Sequence, residues 1–249
     1  MAARMDGSVA VITGASSGIG KATALALHEK GAAVALLARR SERLDDLAQR
    51  ITDDGGRAHV VETDVTDEDQ ARAALDETAA TLGSIDVLVN NAGLGKMDHV
   101  LEASVDDWRN MLDTNVLGLL QCTRSALPHL LRSAEGPRGF ADVVNISSVA
   151  GRVARAGNGV YAATKHAVGA FSESLRQEVT GRHVRVALVE PGMVRTELTE
   201  APDRPADPAV DDVEWLDSED VADAVSYVVT RPPRASVNEL LLRPTEQLR

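Results

Sequence analysis

Tyr161 and Lys165 stand four residues apart in a chain with only one other tyrosine, Tyr227, and three other lysines, Lys21, Lys30 and Lys96. At i and i+4 on a helix their side chains share one face. A phenol with a pKa of about 10 is a poor base at neutral pH, and a neighbouring ammonium lowers that value by favouring phenolate. The pair is therefore a candidate proton-transfer centre. Ser147 and Ser148, thirteen and more residues upstream, offer hydroxyls that could hydrogen-bond a reacting oxygen. Ser147 taken alone reads as a strand-end group bonded to backbone.

The second constellation is Thr13-Gly14-Ala15-Ser16-Ser17-Gly18-Ile19-Gly20. It follows a predicted strand at 9–13 and feeds a predicted helix at about 19–30. Glycines lacking Cβ let backbone approach a pyrophosphate closely, and the helix start directs unpaired N–H groups toward it. The plainer alternative is a tight turn that packs a helix. After the second strand, where a carboxylate would hold the ribose hydroxyls of NAD, the chain has Ala38-Arg39-Arg40. Guanidinium groups bind a 2′-phosphate bidentately, which favours NADP(H), although the same arginines could simply solvate a helix start.

These groups need elements to position them. Short aliphatic runs at 9–12, 33–37, 58–61, 87–89, 143–146, 184–189 and 239–242 alternate with longer amphipathic ones. Runs that are apolar throughout suit strands covered on both faces, so the pattern predicts one α/β domain over 1–249, a Rossmann-type, doubly wound parallel sheet of about seven strands. Thr66 with Asp69, and Ser104 with Asp107, mark helix starts, and Gly31 marks a stop. Ser218 is expected to cap a last helix running to about 230, ahead of Pro232-Pro233. Pro202, Pro205 and Pro208 among acidic residues suggest a substrate lid at about 193–216, or else a plain surface loop.

Net charge of -12 and a pI near 4.9 argue against a nucleic-acid partner. No run is long and apolar enough for a signal peptide or a membrane span, so the expected setting is cytoplasmic. Cys122, the single cysteine, excludes an intrachain disulfide and reads as a small core residue. His28, His59, His99, His129, His166 and His183 lack metal-ligand spacing, and no metal is expected.

With these residues in view, the chain resembles the classical short-chain dehydrogenases/reductases over nearly its whole length. The likeness is carried by the glycine turn, Asn90-Asn91-Ala92-Gly93, Asn115, Ser148, Tyr161 with Lys165, and Pro191-Gly192 with Thr196, in that order. The tail from Ser218 through Pro244-Thr245, with Ala38-Arg39-Arg40, is similar to an NADP-dependent branch that includes serine 3-dehydrogenases, hydroxy-acid dehydrogenases and clavulanic acid dehydrogenase. The segment after Thr196 is short and acidic for that branch, which leaves the substrate open.

The resemblance implies an NADP(H)-dependent oxidoreductase acting on a small-molecule carbonyl or alcohol, with Asn115, Ser148, Tyr161 and Lys165 as the catalytic set. Tyr161 would exchange the proton, Ser148 would steady the reacting oxygen, and Lys165 would hold the nicotinamide ribose. Asn115 would position a water leading from Lys165 to solvent, or satisfy a helix bend. Implied cofactor contacts are Gly14, Ser16, Ser17, Gly18, Ile19 and Gly20 at the phosphates, Arg39 and Arg40 at the 2′-phosphate, and Asp64 and Val65 at adenine. Asn91, Ala92 and Gly93 would lie under the ribose, and Pro191, Gly192, Val194 and Thr196 beside nicotinamide with Tyr161 and Lys165. Asp64 could instead be a turn residue.

Substrate is expected between 93–96, 152–158 and the segment after Gly192. Leu94, Val153, Met193 and Leu198 would form apolar wall, and Lys96, Arg155 and Arg195 either meet a carboxylate or stay solvated. A homodimer or homotetramer is implied by the helices around Asn115 and Tyr161, with Val168, Phe171 and Leu175 serving an interface or the core. The rival functions are a non-catalytic dinucleotide sensor, which would need no proton-transfer set, and a structural protein on the same fold.

Overall fold

The computed structural model describes residues 5–200 and 213–248. Most of the proline-rich part of the expected lid, 201–212, lies outside them. Seven strands form one sheet: β1 (Val9–Thr13), β2 (Ala33–Ala38), β3 (Ala58–Glu62), β4 (Val87–Asn90), β5 (Ala141–Ile146), β6 (Val184–Pro191) and β7 (Glu239–Leu242). Their order is β3-β2-β1-β4-β5-β6-β7, and every pairing is parallel. This is the Rossmann-type sheet that the aliphatic runs predict.

Helices cover both faces because parallel strands require crossovers. They are α1 (Gly18–Glu29), α2 (Ser41–Asp53), α3 (Glu68–Leu82), α4 (Val105–Leu112), α5 (Leu119–Ala134), α6 (Gly159–Val179) and α7 (Ser218–Val229). Alternate strand residues sort to opposite sides. Ile12, Val34 and Leu36 join a cluster with Leu27 of α1, Leu44 of α2 and Val225 of α7, while Val11, Ala35 and Leu37 pack with Leu75 of α3, Leu130 of α5 and Leu175 of α6. Both clusters are sealed from water, each large aliphatic side chain contributing ~1.5–3 kcal/mol by burial.

Two helix starts differ from expectation. Asp67, not Thr66, caps α3, accepting from the N–H groups of Asp69 and Gln70, because Thr66 turns its hydroxyl back to Asp64 Oδ1 at 2.8 Å. Asp217, not Ser218, precedes α7, where Asp220 accepts from the Asp217 N–H at 2.8 Å and closes a capping box. Ser104 does cap α4, accepting from the Asp106 N–H. Gly31, at φ 98°, ends the turn after α1 with its N–H on the His28 carbonyl. Val168 and Leu175 are buried and serve the core, and Phe171 packs half-buried against them. Cys122 is also core, beside Val65 and Ala71.

Strand order reverses between β1 and β4. Successive crossovers leave there in opposite directions, opening a crevice beyond the carboxyl ends of the strands. That crevice receives the glycine turn, the ends of β2 through β6 and the start of α6.

Candidate active site

A cleft of about 510 Å³ occupies this position, within the size range of small-molecule pockets. It is lined by every residue singled out for cofactor contact except Gly20, and by Ser148, Tyr161 and Lys165. A larger hollow of about 1000 Å³ lies at the opposite, amino end of the strands, beside Ser8, Asp86, Arg138 and Arg231. None of the proton-transfer candidates reaches it.

The phosphate cradle is shaped by what its glycines omit. Gly14 and Gly18 have φ of 66° and 51°, and a methyl on Gly14 would meet Ala92 Cα at 2.9 Å. A methyl on Gly20 would meet the Gly14 carbonyl oxygen at 2.3 Å, so Gly20 sits behind the turn and allows it to lie flat on α1. Ser17 leads α1 without a side-chain cap, and no acidic residue sits in the first turn. Open N–H groups and the positive helix end therefore face the cleft, which fits an anionic pyrophosphate. Asn91 ties this turn to β4: its Nδ2 donates to the carbonyls of Thr13 (3.0 Å) and Gly14 (3.3 Å). Thr13 Oγ1 accepts from the N–H groups of Asn91 and Ala92, a brace that nothing in the sequence singled out.

Beyond the end of β2, Arg40 folds over the turn. Its Nη2 donates to Ser16 Oγ (2.9 Å) and Ser17 Oγ (2.8 Å), and its Nη1 to Glu197 at 2.8 Å. Arg43, one helical turn on, pairs with the same carboxylate, and hydrogen bonds from Arg40 and Arg43 hold the Glu197 carboxyl down at about 2. Arg39 is exposed and lies 3.9 Å from Asp64 Oδ2. Asp64 Oδ1 closes a local turn on Thr66, so the turn role is real, and Asp64 also lines the cleft. Arg43 and Glu197 were not anticipated; Arg43 sits at i+3 from Arg40, a spacing that could have flagged it.

At the other end, Ser148 and Tyr161 share a hydrogen bond. Ser147 points away and donates to the Lys165 carbonyl at 3.3 Å. Lys165 is buried, donates from Nζ to the Ile146 carbonyl at 2.9 Å and lies 5.8 Å from the Tyr161 ring centre. One expectation is reversed here: burial raises the phenol above its ordinary value, only partly offset by the hydrogen bond from Ser148. The ammonium does not lower it because burial depresses Lys165 itself, to about 8. Withdrawing water penalises both charged forms at once.

Asn115 lies in a π-helical segment, Asp113–Gly118, between α4 and α5. Its Oδ1 accepts from the Leu94 N–H at 2.7 Å, and its Nδ2 donates to the Leu94 carbonyl and Thr164 Oγ1. The side chain thus satisfies the bend and fixes the wall at Leu94, leaving one lone pair on Oδ1 for a further donor. The extra residue in the helical turn is what brings it inward.

Of the residues expected to wall the substrate space, Leu94 and Leu198 line the cleft, whereas Val153 and Met193 do not. Lys96, Arg155 and Arg195 are also outside its lining, and Arg195 lies 3.6 Å from Asp217. Among the described residues the cleft's cations are Arg39, Arg40 and Lys165. Arg152 is committed elsewhere. Its guanidinium forks onto buried Glu190 at 2.6–2.9 Å and also pairs with Glu239, joining the turn after Ser148 to the end of β6 before Pro191-Gly192. Gly192 is overlaid by Gln247, whose Oε1 accepts the Met193 N–H at 2.9 Å.

This arrangement can be set beside known proteins. A family model described as short chain dehydrogenase matches residues 8–206. The chain belongs to the short-chain dehydrogenase family. It is 37% identical over 244 residues, 96% of each chain, to an uncharacterized oxidoreductase of Staphylococcus saprophyticus. A serine dehydrogenase solved in its closed form with NADP+ matches with a TM-score of 0.82 at 36% identity, over 94% of both chains. An alcohol dehydrogenase from the archaeon Thermococcus sibiricus, complexed with 5-hydroxy-NADP, matches with a TM-score of 0.86 at 29% identity, covering 97% of this chain and 98% of that one. As a short-chain dehydrogenase the chain is an oxidoreductase of the hydride-transferring kind, on a fold that its relatives use to bind nicotinamide dinucleotides.

Proposed function

We propose that this short-chain dehydrogenase uses NADP(H) to interconvert a carbonyl and an alcohol on a small molecule, by aldehyde or ketone reduction or by hydroxy-acid oxidation. The observation that carries the proposal is the Ser148–Tyr161 hydrogen bond beside buried Lys165, in one cleft with a glycine turn and Arg40. A sensor would need the turn and the arginine but not the buried proton-transfer set.

The nicotinamide supplies or accepts hydride when bound. Tyr161 gives its phenolic proton to the carbonyl oxygen in reduction and takes the alcohol proton in oxidation. Ser148 hydrogen-bonds the same oxygen and steadies phenolate, as its lowering influence on Tyr161 implies. Lys165, anchored on the Ile146 carbonyl and near Gly93, holds the ribose side. Gly14, Ser16, Ser17, Gly18 and Ile19 cradle the phosphates, and Arg40, with Arg39, meets the 2′-phosphate. Asp64 and Val65 flank adenine, Asn91, Ala92 and Gly93 the ribose, and Pro191, Gly192, Val194 and Thr196 the nicotinamide. Asn115 uses its remaining lone pair for a water on the proton path.

The reading includes a cytoplasmic setting and a homodimer or homotetramer. Exposed Val100, Leu101, Val105, Leu112 and Leu117 around α4 and the π-helical segment support the latter, since exposed apolar side chains favour association. No described helix is long and apolar enough to cross a membrane. The test is to follow NADPH absorbance with a panel of aldehydes, ketones and β-hydroxy acids (with NADP+ for the last), NADH and NAD+ run in parallel. Turnover with the phosphorylated cofactor supports the proposal, and a clear NADH preference or none with any substrate opposes it.

A further inference from the structure

The Glu197 carboxylate spans 157 residues of sequence to reach Arg40 and 154 to reach Arg43. It lines the cofactor cleft. Both guanidiniums lie where α2 begins, and Arg40, the residue leading that helix, provides no side-chain cap. The start of α2, whose first turn also carries Glu42, adds its positive end to two arginines and the Ser16 and Ser17 hydroxyls, and Glu197 is the anion that both arginines hold.

The short stretch bearing Glu197 reaches the opposite end of the cleft as well. Thr196 lies over the phosphate turn, where a methyl on Gly18 would sit 3.2 Å from its Cγ2. Leu198 lies beside the catalytic tyrosine: a methyl on Gly95 would be 3.5 Å from Leu198 Cδ2 and 3.4 Å from Tyr161 Cε2. Wherever Glu197 is held, its neighbours are held too.

Building on the proposed use of NADP(H), we infer that Glu197 is an internal stand-in for the 2′-phosphate: it occupies Arg40 and Arg43 until a 2′-phosphorylated adenosine displaces it, and Arg43 is a second phosphate ligand. The displacement is feasible because the side chains of Arg40, Arg43 and Glu197 are 45%, 49% and 54% exposed, and ion pairs so open to water are weak. A phosphate dianion brings more charge and more acceptor oxygens than one carboxylate. A dinucleotide without the 2′-phosphate has nothing to exchange for Glu197 and leaves the stretch at 196–198 latched. Selectivity between the two cofactors thus comes from Glu197 as well as from the arginines.

The test uses calorimetric titration of the full-length protein with NADPH and NADH, and with adenosine 2′,5′-bisphosphate against adenosine 5′-monophosphate. Glu197→Gln removes the competing charge at a half-exposed position. It is expected to tighten NADPH and the bisphosphate ~3- to 10-fold and to leave NADH and the monophosphate unchanged, as loss of one weak, water-exposed competitor predicts. Arg43→Met is expected to weaken the two phosphorylated ligands at least ~10-fold, since a charge-assisted bond is lost, and again to spare the others. The inference is overturned if Glu197→Gln leaves NADPH affinity unchanged, weakens it, or shifts NADPH and NADH alike. A wild-type protein that prefers NADH refutes instead the underlying choice of cofactor, whatever the variants do.

Discussion

Gly20→Ala probes the link between backbone packing and cofactor binding. The added methyl would sit 2.3 Å from the Gly14 carbonyl oxygen and 2.5 Å from Asn91 Nδ2, against an ordinary contact of 3.4 Å or more, so something must move by 3.4 − 2.3 = 1.1 Å. Neither obstacle is a flexible chain end. The Gly14 carbonyl belongs to the phosphate turn, and Asn91 Nδ2 is already bonded to the carbonyls of Thr13 and Gly14. Overpacking of this kind costs ~1–3 kcal/mol. For a chain of this size each kcal/mol lowers Tm by ~2–4 °C, giving a fall of about 2–12 °C. Since the turn itself is what shifts, NADPH affinity should drop by ~10-fold or more, each decade corresponding to ~1.4 kcal/mol. Gly159→Ala is the control: it opens α6, has no atom within 4 Å of the added methyl, and should leave Tm unchanged or raised. Differential scanning fluorimetry and calorimetric titration read both quantities. The reasoning is refuted if Gly20→Ala melts with the wild type and binds NADPH equally well.

Three further outcomes are expected. Ser148→Ala removes the bond that lowers the Tyr161 pKa, so the acid limb of the pH–rate profile for alcohol oxidation should move to higher pH, with kcat down ~10²- to 10³-fold; an unmoved limb contradicts the assignment. Lys165 at about 8 when folded, against an ordinary value of 10.5, means the unfolded chain binds the extra proton between those values, so this group's contribution makes stability rise with pH there. Denaturant titrations should accordingly show the wild type gaining on Lys165→Met by ~3 kcal/mol from pH 7 to 11; a gap that stays constant removes the buried-ammonium argument. Arg152→Ala strands the carboxylate of Glu190, 1% exposed, and should destabilise by ~3–5 kcal/mol, with Glu190→Gln in the same background restoring part of the loss in urea melts.

The sheet was legible because its strands are covered on both sides, and unbroken aliphatic runs such as 9–12 and 33–37 have few other destinations. The glycine turn was legible for a related reason: Gly14 and Gly20 stand where any Cβ would strike backbone. What stayed hidden depends on distance or on solvent. Glu197 meets Arg40 and Arg43 across more than 150 residues of chain, and no local pattern encodes that encounter. The cap of α3 went to Asp67 because Asp64 captured the Thr66 hydroxyl, a competition between two adjacent turns that propensity alone does not resolve. The sign of the Tyr161 shift was misjudged for a physical cause as well: spacing gives the nearness of Lys165, but not the burial that acts on both groups. Val168 and Leu175 turned inward because β6 and the helices behind it were there to receive them.

The central claim is that one phenolic hydroxyl moves the proton while the rest of the cleft holds the dinucleotide. Tyr161→Phe deletes that oxygen and little else, so NADPH titration and steady-state turnover on the same preparation test it most directly. The account predicts an NADPH Kd near that of the wild type and a kcat lower by ~10²- to 10⁴-fold, the range for a positioned proton donor. Turnover that survives the substitution intact, with the dinucleotide still bound, would contradict it.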